Sequence, residues 1–528
     1  MTNPELVAPD PQRIALAASQ PMGVRDLSGC QWAVAQRRAY PEIGPGPESL
    51  ARRARMASAE QAVWELLPVR AARGDRVAFR RHDVPPEEPS ISTENARWLR
   101  EMATLDALAS GAHLITGAAF SGVFEGVAWA VEVPVLVRVG EAYMPVVISN
   151  HRIGRRAERG SAQVIATARL GLGRPLEEKY KVKAYAHEHN EAVLAAWGLR
   201  AAGLDSGLAG IIGQDRTRTF VVELARFEQA TVTAMREPIP AGPLRVRECD
   251  GCRFWHLCEP ELRARDDISL LFRGDKARQF RELGFGTVAG LAAAELGEAS
   301  ALAQAYRDGV DVLARTRVQA VPRRDVEIDL DVEAYLDHGA YLWGLWDGNA
   351  YHGFATWDGL GGAAEGENFA RMWGWLRATV ESARAAGQAV GIYCYAAGGE
   401  NHWLRSSARR FGGQVYAGVR APTLEEVEEF IASDEWIDVF VAVKASLIGT
   451  GGVGLKVVAP HAGFHWRESG FAGEESVSAY REARGIDPGD PEAARARLLD
   501  YNEDDCRATS AVRAWLSAGA PGVRRVVD

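Results

Sequence analysis

Apolar residues alternate with carboxylates through Val326-Glu-Ile-Asp-Leu-Asp-Val-Glu333, so a strand there carries Val326, Ile328, Leu330 and Val332 on one face and Glu327, Asp329, Asp331 and Glu333 on the other. Short aromatic strands are predicted after it at 341–346 and 351–357. An amphipathic helix follows at 367–386, a buried strand at 389–395, and a helix opening near Pro491. Glu400 falls at a helix start just beyond the buried strand. Upstream, a helix is expected from Asp26 to Arg38 with Cys30 in its first turn, and another over 98–110. Strands are expected at 113–120, at 123–139 with a break in the middle, and at 143–149. A long helix then covers 180–202, and a strand pair lies within 207–224. Residues 263–320 read as a helical connector.

The carboxylate face is chemically unusual. Asp and Glu are depleted in strands, and like charges at this spacing repel. A solvated edge strand would tolerate them; a divalent cation would relieve the repulsion, and that reading is favoured here. In the last predicted helix, Tyr501 and Asp505 are four apart and share a face.

The chain of 528 residues is long enough for two or three domains, and with 47% hydrophobic and 25% charged residues it has the composition of a soluble globular protein. It has no apolar run of membrane-spanning length, and Met1-Thr-Asn-Pro-Glu is not a basic leader, so a cytoplasmic protein with no membrane partner is expected. A net charge of −9 speaks against a surface coated in nucleic acid but leaves room for a local basic channel. Arg152, Arg155, Arg156 and Arg159 read as a solvated charged loop.

Six cysteines in so long a chain do not form a disulfide framework, yet three of them fall within Cys249-Asp-Gly-Cys252-Arg-Phe-Trp-His-Leu-Cys258. A Cys-x2-Cys turn brings two thiolates to one centre, and Cys258 adds a third. Soft thiolates select zinc or an iron–sulfur cluster, and either needs a fourth ligand. Cys30 is the best candidate, since Cys394 and Cys506 fall in a later domain; the alternative for Cys30 is a lone buried thiol.

A cysteine near a first helix, a three-stranded core followed by a helix, and a terminal Cys-x2-Cys-x5-Cys resemble the iron–sulfur members of the RecB-like PD-(D/E)XK nucleases, among them CRISPR spacer-acquisition nucleases and a subunit of the AddAB helicase–nuclease. The resemblance implies a 4Fe–4S cluster on Cys30, Cys249, Cys252 and Cys258, with structural zinc as the alternative, stapling the two ends of a domain over 1–262. It also implies an acidic residue on one core strand and an acid-x-lysine on the next. Here those positions fall on Pro134 or Val135, and on Val147 and Ser149, so the resemblance implies a degenerate nuclease site. Glu132 and Lys179, Lys181 or Lys183 are the only evident substitutes.

Within 263–320, Leu283-Gly-Phe-Gly286-Thr-Val-Ala-Gly-Leu-Ala resembles a helix-hairpin-helix turn, in which backbone N–H groups face a phosphate. A Gly-ended helix followed by a Thr-capped one explains it equally well. The β-β-β-α-β order of 321–528 is that of an RNase H-like domain, and its motifs look like those of the DEDD 3′–5′ exonucleases in the tyrosine variant, closest to the YprB type. The resemblance places Asp-x-Glu on Asp331 and Glu333, the second motif on Glu400 in place of the usual Asp, and Tyr-x3-Asp on Tyr501 and Asp505. Asp331, Glu333, Glu400 and Asp505 would then hold Mg²⁺ or Mn²⁺, with Tyr501 orienting water. Asp329 and Asp504 are the alternatives if the register differs, and Lys456 and Glu475 are further candidates for contacting phosphate and metal. The three segments together resemble a bacterial family of RecB-like nucleases. That implies an α/β DNA-processing protein, with DNA favoured over RNA as the nucleic acid and a helicase as a conceivable partner. The rival reading is a non-enzymatic nucleic-acid-binding scaffold on two degenerate folds.

Overall fold

The computed structural model describes residues 20–71, 78–85, 93–157, 159–183, 185–315, 317–336, 338–471 and 473–526. The extreme N-terminus, including the start read above as no leader, lies outside them. The chain divides into two compact units, Met1–Arg265 and Asp266–Asp528, so the helical stretch expected as a connector is counted mainly with the second.

In the first unit, apolar and β-branched runs form one sheet from β1 (Arg81–Asp83), β2 (Leu114–Phe124), β3 (Val127–Val139), β4 (Ala142–Ile148), β5 (Ala162–Ala166), β6 (Leu176–Glu178), β7 (Leu208–Ile212) and β8 (Arg218–Glu223). The strand order is β1-β2-β3-β4-β7-β8-β5-β6. The break expected in the middle of 123–139 sits near its start, at Glu125 and Gly126, which both have positive φ (47° and 85°) as a tight hairpin requires. The helices are α1 (Trp32–Ala39), α2 (Pro47–Leu66), α3 (Thr93–Ala109), α4 (Ala186–Ala201), α5 (Ala225–Arg236) and α6 (Trp255–Ala264). Two expectations shift. Residues 180–182 are a strand, not the start of α4, because in Lys-Tyr-Lys-Val-Lys the alternation turns Tyr180 inward, and this strand pairs with Gly154–Arg156 in the supposed arginine loop. Cys30 precedes α1 instead of lying in its first turn, because Asp26 closes a separate 3-10 turn by accepting the Gly23 N–H at 2.8 Å.

The second unit opens with α7 (Asp275–Glu282), α8 (Val288–Ala292) and α9 (Glu298–Arg307). Its main sheet is built from β9 (Val326–Tyr335), β10 (Gly339–Trp346), β11 (Tyr351–Ala355), β12 (Val390–Cys394) and β13 (Trp436–Asp438), in the order β11-β10-β9-β12-β13. β9 to β11 are antiparallel, whereas β12 and β13 run parallel to β9. The helices are α10 (Ala363–Ala385), α11 (Gly398–Phe411), α12 (Leu424–Ile431), α13 (Val439–Ser446), α14 (Gly473–Ala483) and α15 (Pro491–Ser517). The apolar face of β9, with Ile328 and Leu330, packs into a core with Trp343, Phe369 and Leu404. Its carboxylate face lies against α15.

That packing divides the acidic face in two. Arg513 from α15 is buried beneath β9 and reaches Glu327 as well as both oxygens of Asp329, at 3.3 and 2.9 Å, while its guanidinium lies 4.1 Å from the Tyr393 ring centre. Burial raises the Glu327 carboxyl, but hydrogen bonds from Arg323, the Arg324 N–H and Arg513 outweigh it and hold the group down to about 2. Asp329 is fully buried, and desolvation takes it up to about 6 despite the same arginine. Glu327 and Asp329 are therefore committed to structure, which removes Asp329 as an alternative ligand. Removing the arginine leaves two carboxylates facing each other without a countercharge. Arg513→Ala is expected to cost the second unit about 3–5 kcal/mol in a denaturant titration; a loss below about 1 kcal/mol would contradict this role.

Candidate metal centre

The other half of the acidic face meets α15 about two to three turns before Arg513. There Asp331, Glu333 and Asp505 each offer a carboxylate oxygen within 4.8 Å of the others, the only such group of three or more His, Cys, Asp or Glu among the described residues. The positions follow from local geometry. Period two places Asp331 and Glu333 on the face toward α15, and a bulge after Glu333 shifts the register of β9 against β10. Gly344 stands opposite Asp331, and a Cβ there would come within 1.7 Å of the Asn502 side-chain oxygen, so the missing side chain lets the helix approach.

Each carboxylate is oriented by neighbours. The Asn502 amide donates to Asp331 Oδ2 at 2.7 Å, and the Tyr351 hydroxyl donates to Asn502 Oδ1 at 2.8 Å. The Trp466 indole N–H donates to Asp505 Oδ1 at 2.7 Å. Lys456 extends over the Tyr501 ring, 4.9 Å from its centre, with its ammonium donating to the Phe471 carbonyl. Tyr501 itself lies edge-on to Phe471.

Charge is concentrated in this recess. Burial pushes Asp331 well above the usual carboxylate range, and the charges of Asp505, Glu333 and Glu400 push it further. Glu333 is pushed up to about 8 by burial and then by Asp505, against the opposing pull of Lys456. Asp505 rises to about 6 through burial, held down by the Trp466 indole, Lys456 and the Tyr501 hydroxyl.

Glu400, expected with these three, stands outside their group but near enough to act on Asp331 and Glu333. It lies in the first turn of α11, 6% exposed, and its Oε2 has no hydrogen-bond partner. Burial and the charge of Asp438 raise it to about 7. Asp438 fixes the turn before α11 by accepting the N–H groups of Ala396 and Ala397 at 3.0 and 3.1 Å. Asp504, the alternative to Asp505, points away: it accepts the Arg467 N–H at 2.8 Å and its guanidinium at 2.9 Å, and so anchors the segment that carries Trp466. Glu475 is exposed on α14. In the segment resembling a helix-hairpin-helix turn, the N–H groups of Ala289 and Gly290 are taken by Asp266 Oδ2 at 2.7 Å and by the Thr287 hydroxyl at 3.0 Å.

Residues 418–517 match the RNase_H_2 family model of the RNase H superfamily. The match spans α12 to α15 with Asp438, Lys456, Tyr501 and Asp505, and β9 lies outside it. The second unit therefore holds an RNase H-like domain, a fold class that implies nuclease-type chemistry, a nucleic-acid substrate and divalent metal. The antiparallel trio β9–β11 followed by parallel β12 fits the β-β-β-α-β order. No curated protein matches the chain. Asp331, Glu333 and Asp505 fit the metal that the RNase H-like fold implies: they are oxygen donors, close-set, short of countercharge and desolvated. Asn502, Trp466 and Asp438 were not evident from the sequence, since each acts across the fold. Asn502 had a faint signal as the neighbour of Tyr501.

In the first unit, Cys30, Cys249, Cys252 and Cys258 line one cavity together with Trp32, Gln36 and Trp255. N–H groups point at the sulfurs: Val246 N–H to Cys249 at 3.4 Å, the Gln36 amide to Cys258 at 3.6 Å, and the Trp32 and Ala33 N–H groups to Cys30. Burial pushes the Cys249 and Cys258 thiols up to about 11 and about 12. No three of the four sulfurs come within 4.8 Å of one another. At the expected nuclease positions, Val135 and Val147 are fully buried in apolar core, and buried Ser149 donates to Glu188. Glu132 pairs with Arg100 at 2.8 Å, Lys179 and Lys181 are exposed, and Lys183 lies over the Tyr185 ring. No helix of the described residues is long and apolar enough to cross a membrane.

The raised carboxyls set a pH dependence. The metal-free folded protein binds protons that the unfolded chain has released, from the ordinary carboxylate range near pH 4.5 up to about pH 8 for Glu333. Stability from this site is thus full below that window and is lost as pH rises through it. A divalent cation displaces those protons, so the rise in melting temperature on adding Mg²⁺ is expected to be small at pH 5.5 and clearly larger at pH 8. A pH-independent rise would place the ion elsewhere.

Proposed function

We propose that the second unit hydrolyses nucleic acid from a 3′ end by metal-dependent exonucleolytic chemistry, in DNA repair or processing. The observation that carries this is the convergence of Asp331, Glu333 and Asp505 within 4.8 Å in an RNase H-like domain. Asp331, Glu333 and Asp505 would hold the ions, and Glu400, with its free and buried Oε2, would complete the set. Bound divalent metal activates the attacking water and stabilises the leaving oxygen. Tyr501, beside Asp505, orients that water through its hydroxyl. Asn502 and Trp466 keep Asp331 and Asp505 from rotating, and Lys456 balances charge on Glu333 and Asp505 and presents an ammonium toward a phosphate. The protein with Mn²⁺ and 5′-labelled single strands is expected to shorten them from the 3′ end. The Asp331→Ala, Asp505→Ala double variant should lose at least about 10³-fold in rate; equal activity in the double variant would refute the assignment.

For the first unit we propose a RecB-like PD-(D/E)XK fold that has lost its own nuclease site and grips the nucleic acid. The supporting observations are Val135, Val147 and Ser149 at the catalytic positions and the four cysteines around one cavity. Cys30, Cys249, Cys252 and Cys258 would hold a 4Fe–4S cluster. Tetrahedral zinc, with Zn–S near 2.3 Å, draws its sulfurs to about 3.8 Å from each other, whereas no three of these four lie within 4.8 Å of one another. Anaerobically purified protein is expected to be brown with broad visible absorbance, and Cys249→Ser to bleach it and unfold the first unit. A colourless protein with one zinc per chain would overturn the cluster.

A further inference from the structure

Two hydrogen bonds fix how the carboxylates of the metal centre present their oxygens. Asn502, three residues before Asp505 on α15, donates its amide to Asp331 Oδ2 at 2.7 Å. Trp466 donates its indole N–H to Asp505 Oδ1 at 2.7 Å. In each carboxylate one oxygen thus answers a protein donor, and Oδ1 of Asp331 and Oδ2 of Asp505 are left to face an ion.

Both donors are themselves held. Asn502 is fully buried, and the Tyr351 hydroxyl donates to its Oδ1 at 2.8 Å. An amide turned the other way would set its oxygen against a carboxylate oxygen, so the chain from Tyr351 through Asn502 to Asp331 has one direction. The Tyr351 ring crosses two glycines that stand opposite each other on β10 and β11, Gly344 and Gly353, and a Cβ on either would come to 2.8 Å from a ring carbon. On the other side, Arg467 ties the segment carrying Trp466 to α15 through Asp500 at 2.8 Å and Asp504 at 2.9 Å.

A carboxylate chelates an ion through both oxygens only when both are turned toward it. With one oxygen engaged by a donor, Asp331 and Asp505 each supply a single ligand atom, and the rest of the coordination sphere falls to other carboxylates, water and substrate. Mg²⁺ takes about six oxygens near 2.0–2.1 Å and keeps several waters, a demand that single-oxygen ligands meet. Ca²⁺ takes roughly 6–8 oxygens at about 2.3–2.6 Å and reaches the higher numbers with bidentate carboxylates. Mn²⁺ shares the octahedral oxygen geometry. We infer that Asn502 and Trp466, with Tyr351 behind Asn502, set the ion specificity of this centre: by engaging one oxygen of Asp331 and one of Asp505, they favour Mg²⁺ or Mn²⁺ over Ca²⁺. The three are positioning residues that act through the ligands. The inference rests on the reading of Asp331, Glu333 and Asp505 as a divalent-metal centre, and it adds which ions the centre takes and which neighbours decide it.

The test titrates the full-length protein with Mn²⁺ at pH 8, reads free Mn²⁺ by electron paramagnetic resonance at room temperature, and then displaces the bound ion with Ca²⁺. The parent is expected to give up Mn²⁺ only to a large excess of Ca²⁺. Trp466→Phe and Tyr351→Phe each keep an aromatic ring and remove one donor. Each is expected to weaken Mn²⁺ binding about tenfold, as loss of an outer-shell partner does, and Ca²⁺ binding by less, so that the Ca²⁺-to-Mn²⁺ affinity ratio rises at least about threefold. Loss of packing alone lowers both affinities together and leaves that ratio where it was. Asn502→Ala should move the ratio furthest; if its melting temperature shows that it does not fold, the two Phe variants decide. A ratio equal to the parent's in both Phe variants would overturn the inference and spare the metal centre. A parent that prefers Ca²⁺ would overturn the specificity in the same way. A parent that binds no Mn²⁺, or Mn²⁺ binding that the Asp331→Ala, Asp505→Ala double variant leaves intact, would overturn the centre and the inference with it.

Discussion

Repulsion among like charges on one face of β9 is the constraint around which the second unit is arranged. Four carboxylates at period-two spacing cannot share a desolvated face without countercharge, and the chain meets the demand in two ways along one helix. Arg513 neutralises Glu327 and Asp329 and ties the strand to α15. Asp331 and Glu333 receive no guanidinium; α15 brings them a third carboxylate, Asp505, and an amide, Asn502. One half of the face is thereby neutralised within the chain, and the other half is a close-set group of carboxylates without a guanidinium. Helix and strand periodicities suffice to produce this division, since residues 502, 505 and 513 recur on the side of α15 that looks at every second residue of β9.

The surroundings hold that half ready. Tyr351 supports Asn502, Arg467 clamps Asp504 and so places Trp466, and Trp466 fixes Asp505. Carboxylates held in place by such neighbours lose little entropy when a cation binds, and burial together with their mutual charge raises the proton affinity of Asp331 and Glu333. In the first unit, Val135 and Val147 are buried in core, and Ser149 donates to Glu188.

Much of this was legible in the sequence because it depends on local periodicity. The acid/apolar alternation gave β9 and its two faces, Tyr501 and Asp505 were recognisable as one helical face, and the three cysteines of Cys-x2-Cys-x5-Cys line one cavity with Cys30. What the sequence did not disclose depends on contacts between distant segments. Nothing local says that Glu327 and Asp329 belong to Arg513, more than 180 residues away, or that Trp466 would reach Asp505. Strand 180–182 is hidden in the sequence because three residues of alternation are too few to stand out beside a long helical pattern. Glu400 illustrates the intermediate case: its place at a helix start was readable, whereas its distance from the other carboxylates was not.

The central claim is that the open half of the acidic face is a divalent-metal site. Anomalous diffraction from crystals soaked in Mn²⁺ tests it most directly. The account predicts a peak bound by Asp331, Glu333 and Asp505, with the Glu400 side chain turned toward it. Ordered Mn²⁺ bound only elsewhere, with Asp331, Glu333 and Asp505 left to protons and the Lys456 ammonium, would contradict it.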